Sequence, residues 1–157
     1  MGPDPDIHRV RGAGDADVAY NSTNNEYLVV VRGDDVSWGK FEVYGQRIDA
    51  ATGLEIGTND FPISDLGPDG DVDFDASDPA VAYNSQENSY LVVWKGDDVI
   101  NGENEVYGQR LNAVTGAEIG INDFRISDVG PEGDPDFDAV LPTVAYNSTN
   151  NEFLIVW

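Results

Sequence analysis

The sequence predicts an all-β protein made of four-stranded antiparallel blades of the β-propeller type, about two and a half of them. Three observations carry that expectation: a gapless internal repeat, short apolar runs bounded by turn residues, and the lack of any long segment with helical spacing. Set against each other, residues 15–77 and 78–140 match at 42 of 63 positions, and 141–157 opens a third copy in the same register. A fixed period of this size marks one supersecondary unit stacked on copies of itself. The chain therefore divides into a partial N-terminal strand at 1–14, a first repeat at 15–77, a second at 78–140 and a partial third at 141–157.

The elements follow in order. Residues 6–10 form a degenerate counterpart of the last strand of each repeat, aligned on Asp60-Phe61-Pro62-Ile63-Ser64 and Asp123-Phe124-Arg125-Ile126-Ser127. In the first repeat Val18 to Asn21 is a short strand closed by Ser22-Thr23-Asn24-Asn25, residue types that favour turn geometry. Tyr27 to Val31 is continuous and β-branched, the pattern of a strand covered on both faces. Gly33-Asp34-Asp35 breaks it. Phe41 to Ala50 forms a third strand in which Gly45 marks a bulge or a close backbone approach. Thr52-Gly53 turns the chain into a fourth strand, Ile56 to Ser64, and an acidic connection leads onward. The second repeat places the same strands at 81–84, 90–94, 104–113 and 119–127, and the third begins them at 144–147 and 153–157.

Four antiparallel strands at a fixed period are the signature of a propeller blade, although 63 residues exceed the roughly 40 to 50 of common blades. The surplus lies in two acidic loops. Trp94 and Trp157 stand where the first repeat has Val31, so one large side chain is expected to fill the space between blades. The pattern AYNS, YLVVW, EVYGQR, TG and F-x-I-S resembles repeats of large secreted and surface proteins of bacteria and archaea, similar to sialidase-like blades without their S-x-D-x-G-x-x-W box. That resemblance implies an extracellular or cell-surface scaffold or adhesin without a defined activity. It carries over no catalytic residue.

Charge narrows the partners. Thirty acidic residues against 8 basic ones give a net charge of -22, which opposes contact with nucleic acid or anionic membranes. No apolar run approaches the roughly 20 residues of a membrane span, so membrane insertion is not expected. The chain has no cysteine, which excludes disulfides and thiolate-bound metals.

In an up-and-down sheet the loops after strands two and four emerge at one end, so that end gathers the acids. Asp71-x-Asp73-x-Asp75 and Asp134-x-Asp136-x-Asp138 set carboxylates at alternate positions, a spacing that suits calcium, which takes six to eight oxygens. With Asp65 and Asp69 in the first repeat, and Asp128 and Glu132 in the second, these are the candidate ligands; a solvated acidic surface is the bland alternative. The glycine and the glutamate of a full calcium loop are missing. Phe74 and Phe137, inside the two runs, suggest loops that fold back over an aromatic.

Trp38 in the first acidic loop is the candidate for stacking on a sugar, which keeps a lectin-like propeller as the second reading. Arg32-Gly33-Asp34 spells an adhesion tripeptide, but the repeat already accounts for it as a basic strand end, a turn glycine and a loop acid. Arg47 and Arg110 are expected to pair with carboxylates. An enzyme is not expected: the lone His8 lies outside the repeats, and the acids obey the repeat instead of departing from it. Two and a half blades cannot close a ring, which needs at least four. Open sheet edges then predict self-association edge to edge, most simply a dimer of five or six blades, or completion by further blades of a longer parent chain.

Overall fold

A computed structural model describes residues 11–34, 39–68, 71–97, 102–131 and 133–157. The expected strand at 6–10 and Trp38 lie outside the described residues. The protein is all-β with antiparallel sheets. The first sheet holds β1 (Arg11–Asn21), β2 (Glu26–Asp34), β3 (Glu42–Asp49) and β4 (Glu55–Pro62) in sequential order. The second repeats it with β5 (Ala76–Asn84), β6 (Ser89–Gly96), β7 (Glu105–Asn112) and β8 (Glu118–Arg125). The third is the hairpin β9 (Thr143–Asn147) and β10 (Glu152–Val156). No helix among the described residues is long and apolar enough to cross a membrane.

Register repeats with the sequence. Tyr27 pairs with Ile48 as Tyr90 pairs with Leu111, and Val30 with Gly45 as Val93 with Gly108. Left-handed residues recur too: Asn25, Asn88 and Asn151 end the three hairpin turns, and Asp15, Asp78 and Leu141 stand at the starts of the repeats. Asn and Asp tolerate that conformation, whereas Leu141 adopts it against its preference. The expected bulge in the third strand is present, as a register shift between Gly45 and Arg47 and again between Gly108 and Arg110. A Cβ on Gly45 would lie 2.7 Å from Ile63 Cδ1 and 2.8 Å from Phe61 Cζ, so a larger residue would push both side chains aside. Gln46 spans the bulge, donating to Arg47 O (2.8 Å) and accepting from Asp60 N (2.9 Å). Gln109 does the same with Arg110 O and Asp123 N.

The sheets stack face upon face. Leu28 and Val30 of the first sheet pack on Tyr90, Val92 and Trp94 of the second. The other face of the second sheet offers Leu91 and Val93 to Phe153 and Ile155 of the third. Trp94 is fully buried, in the inter-sheet position expected of it, while Trp157 is half exposed. Strand β6 is covered on both faces; β2, equally apolar and expected to be covered on both, has only one covered face and exposes Tyr27. Successive sheets approach most closely through their first strands, β1 to β5 and β5 to β9.

Polar groups at the turn end reinforce the stacking. Asn21, Asn84 and Asn147 each use Oδ1 to receive amides of their own turn, as Asn21 does from Thr23 N (2.9 Å). The same side chains reach across: Asn21 Nδ2 donates to Asn88 Oδ1 (3.1 Å), and Asn84 Nδ2 donates to Asn151 Oδ1 (3.0 Å). A tyrosine hydroxyl joins each acceptor, from Tyr83 to Asn88 (2.9 Å) and from Tyr146 to Asn151 (3.0 Å). Arg47 pairs with buried Glu26 at 2.8 Å and Arg110 with Glu87 at 2.5 Å, as expected of both arginines.

Candidate functional site

The two acidic loops of each repeat meet at one end of their sheet, where their carboxylates receive backbone amides. Asp34 and Asp97 are buried, and each accepts from a glycine of its own loop, Gly39 N and Gly102 N, at 2.7 Å. Asp75 Oδ1 accepts from Phe41 N (2.7 Å) and Asp138 Oδ1 from Asn104 N (2.8 Å), which ties the second loop of each repeat to the first. Asp71 and Asp134 close local turns by accepting from Asp73 N and Asp136 N at 3.2 Å. Other loop amides bond backbone carbonyls, as Phe74 N does with Asp71 O and Phe137 N with Asp134 O, and a charged acceptor makes the stronger bond. The alternating spacing of the acids is therefore used in part to build the loops.

Asp73, Asp136 and Asp138 are exposed, as is Asp65, whose amide donates to Asp123 Oδ2 (2.9 Å). Asp128 is exposed and meets Arg125 at 3.3 Å. Asp69 and Glu132 lie outside the described residues. Among the described residues no three acidic or histidine side chains form a group that could hold a metal ion. Phe74 is half-buried over Gly67, where a Cβ would stand 2.5 Å from its ring, and Phe137 lies likewise over Gly130 but stays more exposed. Both loops fold back over a glycine, but only the first covers its aromatic in part; Phe137 stays exposed, against the expectation that each loop buries its aromatic.

Beneath the loops lie two buried carboxylates that sequence reasoning did not single out. Glu42 accepts from Ser64 Oγ and from Leu66 N (3.2 Å) and pairs with Lys40 (2.9 Å). Burial nevertheless pushes its pKa above the ordinary value. Its counterpart Glu105 is also pushed up by burial, but Ser127 Oγ, Val129 N and the Arg125 guanidinium together outweigh this and hold it below the ordinary value. The guanidinium comes from Arg125, where the first repeat has Pro62. The signal in the sequence was the pairing of an unchanged glutamate with an unchanged serine 22 residues later.

Between the first two sheets, at this acidic end, opens a cleft of about 330 Å³ lined by Arg32, Asp73, Asp75, Lys95, Asp97 and Asn104 among others. Arg32 is held by Asp15 (3.2 Å) with its guanidinium 4.5 Å from the centroid of the Phe41 ring, and Lys95 by Asp78 (3.6 Å). The adhesion-like tripeptide is part of this framework, since Asp34 is buried in loop bonding. Burial raises the pKa of Asp75, opposed by its bond from Phe41 N and by the charges of Arg32 and Lys40. Two cations and three carboxylates make a polar cleft suited to a ligand bearing both donors and acceptors.

One further carboxylate stands apart. Asp123, in a left-handed bend of β8, accepts from Asp65 N of the first repeat, and its buried Oδ1 has no hydrogen-bond partner among the described residues. Burial, with Glu42, Glu118 and Asp65 nearby, pushes its pKa up to about 7. Compared with protein-family profiles, curated proteins and solved structures, the chain matches none.

Proposed function

We propose that the chain is a non-enzymatic repeat module of a secreted or surface protein, a scaffold or adhesin whose stacked sheets are blades of the propeller type. The observation that carries this reading is how the repeated residues are spent. Tyr-Gly-Gln-Arg, Ala-Tyr-Asn and the loop aspartates go into bulges, hairpin turns, amide bonds and contacts between sheets. Residues that repeat in this way specify stacking, and the closest approach of the first strands fits sheets fanned about a common axis. The differences between the repeats are spread along the unit, and in the first acidic loop Lys40 becomes Glu103 and Phe41 becomes Asn104.

The test is placement and binding in the source organism. Antibody against the folded chain is expected to label intact cells or secreted material. Label that appears only after lysis would overturn the extracellular reading.

Calcium belongs to this proposal as a ligand of the exposed loop carboxylates, Asp73 and Asp136 among them. Melting in calcium is expected to exceed melting in chelator at matched ionic strength, since a ligand at a hundredfold excess over its Kd adds about 2.7 kcal/mol. Equal curves would remove calcium and leave the scaffold.

A further inference from the structure

The two outward faces of the stack are the two halves of the contact already made twice inside it. On the second sheet Val81, Tyr83, Tyr90, Val92 and Trp94 are covered by the first, and on the third Val144, Phe153 and Ile155 are covered by the second. The corresponding face of the first sheet, with Val18, Tyr20 and Tyr27, is exposed. At the other end Leu28 and Val30, then Leu91 and Val93, cover the next sheet, while their equivalents Leu154 and Val156 face solvent at 66% and 49% exposure. The ring pair Tyr20–Tyr27 has the 5.2 Å spacing of Tyr146–Phe153 and nearly that of Tyr83–Tyr90 at 5.4 Å, so the open face is already shaped like its covered equivalents.

The polar groups match as well. Asn21 and Asn84 reach across to the left-handed asparagine of the next sheet, but Asn147 donates to Glu152 of its own hairpin at 3.0 Å. At the opposite end Asn25 has the left-handed backbone and the tyrosine donor of Asn88 and Asn151, its Oδ1 receiving Tyr20 Oη at 2.9 Å. The bond that would join Asn147 to Asn25 is the third rung of this ladder.

From this continuity with the internal contacts we infer that the occupant of each open face is a second copy of this chain, docked head to tail. The Leu154 and Val156 face of one copy covers the Val18, Tyr20 and Tyr27 face of the next. This differs from pairing through sheet edges, because faces and turn asparagines meet and no strand is added. It rests on the observed stacking and is independent of where the protein resides.

Such a contact joins two different surfaces, so it adds copies until a ring closes or without end, and that gives a decisive experiment. Light scattering coupled to size exclusion is expected to show the mass rising above that of a monomer from micromolar to about 100 μM. Leu154→Asp with Val156→Asp blocks one end; Val18→Asp, at a 55% exposed position, blocks the other. Each blocked protein is expected to stay monomeric, and an equimolar mixture to form a dimer that grows no further, because each variant keeps one intact face. Circular dichroism and melting check folding, and Val18→Asn replaces Val18→Asp if the charge unfolds the sheet. A parent that stays monomeric at 100 μM, a mixture that stays monomeric, or assembly that survives both substitutions would each overturn the inference.

Discussion

At the scale of single residues, burial separates side chains that the sequence treats alike. Trp94 is sealed between two sheets with its indole N–H unpartnered among the described residues, and Trp94→Ala is expected to cost about 3 to 5 kcal/mol in chemical denaturation. Trp94→Phe should cost much less, because the smaller ring removes the unbonded donor along with some volume. Asp97 is a loop acid, yet it is buried and accepts from Gly102 N, and Asp97→Ala should cost about 1 to 2 kcal/mol. Asp123 works in the opposite direction. Its folded pKa of about 7 lies above its unfolded one, so its contribution to stability is full at low pH and is lost as pH rises from about 4 through 7. Asp123→Asn should flatten that loss. It should match the parent near pH 4 and exceed it at pH 8 by about 1 to 3 kcal/mol after allowance for solvent screening, read from denaturation midpoints.

At the scale of elements, the ten strands of the described residues were legible because turn residues and apolar runs alternate at strand length, and the repeat supplied each assignment at least twice. Less legible were the lengths. β1 and β5 extend toward the acidic end well beyond Val18 and Val81, through bulges at Asp15 and Asp78 whose carboxylates meet Arg32 and Lys95. Only small apolar residues such as the buried Ala76 and Ala80 mark those extensions, whose backbones pair with β2 and β6. The acids were legible as loops but not as amide acceptors, since spacing alone gives no orientation. Glu26 and Arg47 show why the repeat is not uniform. The first repeat buries the pair, whereas Ser89 replaces the glutamate in the second and Arg110 turns to Glu87 near the surface. Arg47→Ala should therefore cost about 3 to 5 kcal/mol by stranding a buried carboxylate. Arg110→Ala should cost less than about 1 kcal/mol. Thermal or urea unfolding of the two variants side by side measures the difference.

At the scale of the whole molecule, each sheet contacts only its neighbours, so stability is a sum of sheet and interface contributions. The second sheet has two interfaces and the terminal hairpin β9–β10 has one. Amide hydrogen exchange is expected to be fastest in that hairpin and slowest in β6, and equal protection of all three sheets would mean that the stack opens only as one unit. The stack also presents one kind of face at its first sheet and the complementary kind at its last. A gene encoding it could gain or lose a whole 63-residue segment, and every new junction would still bring a leucine-valine face against a tyrosine-valine face. Duplication by slippage, which ruins most folds, here inserts a unit whose neighbours already fit it. The two repeats match at 42 of 63 positions, and the matches include the Leu-Val and Tyr-Val positions of the joint, so the number of units could change while the chemistry of each joint stays the same.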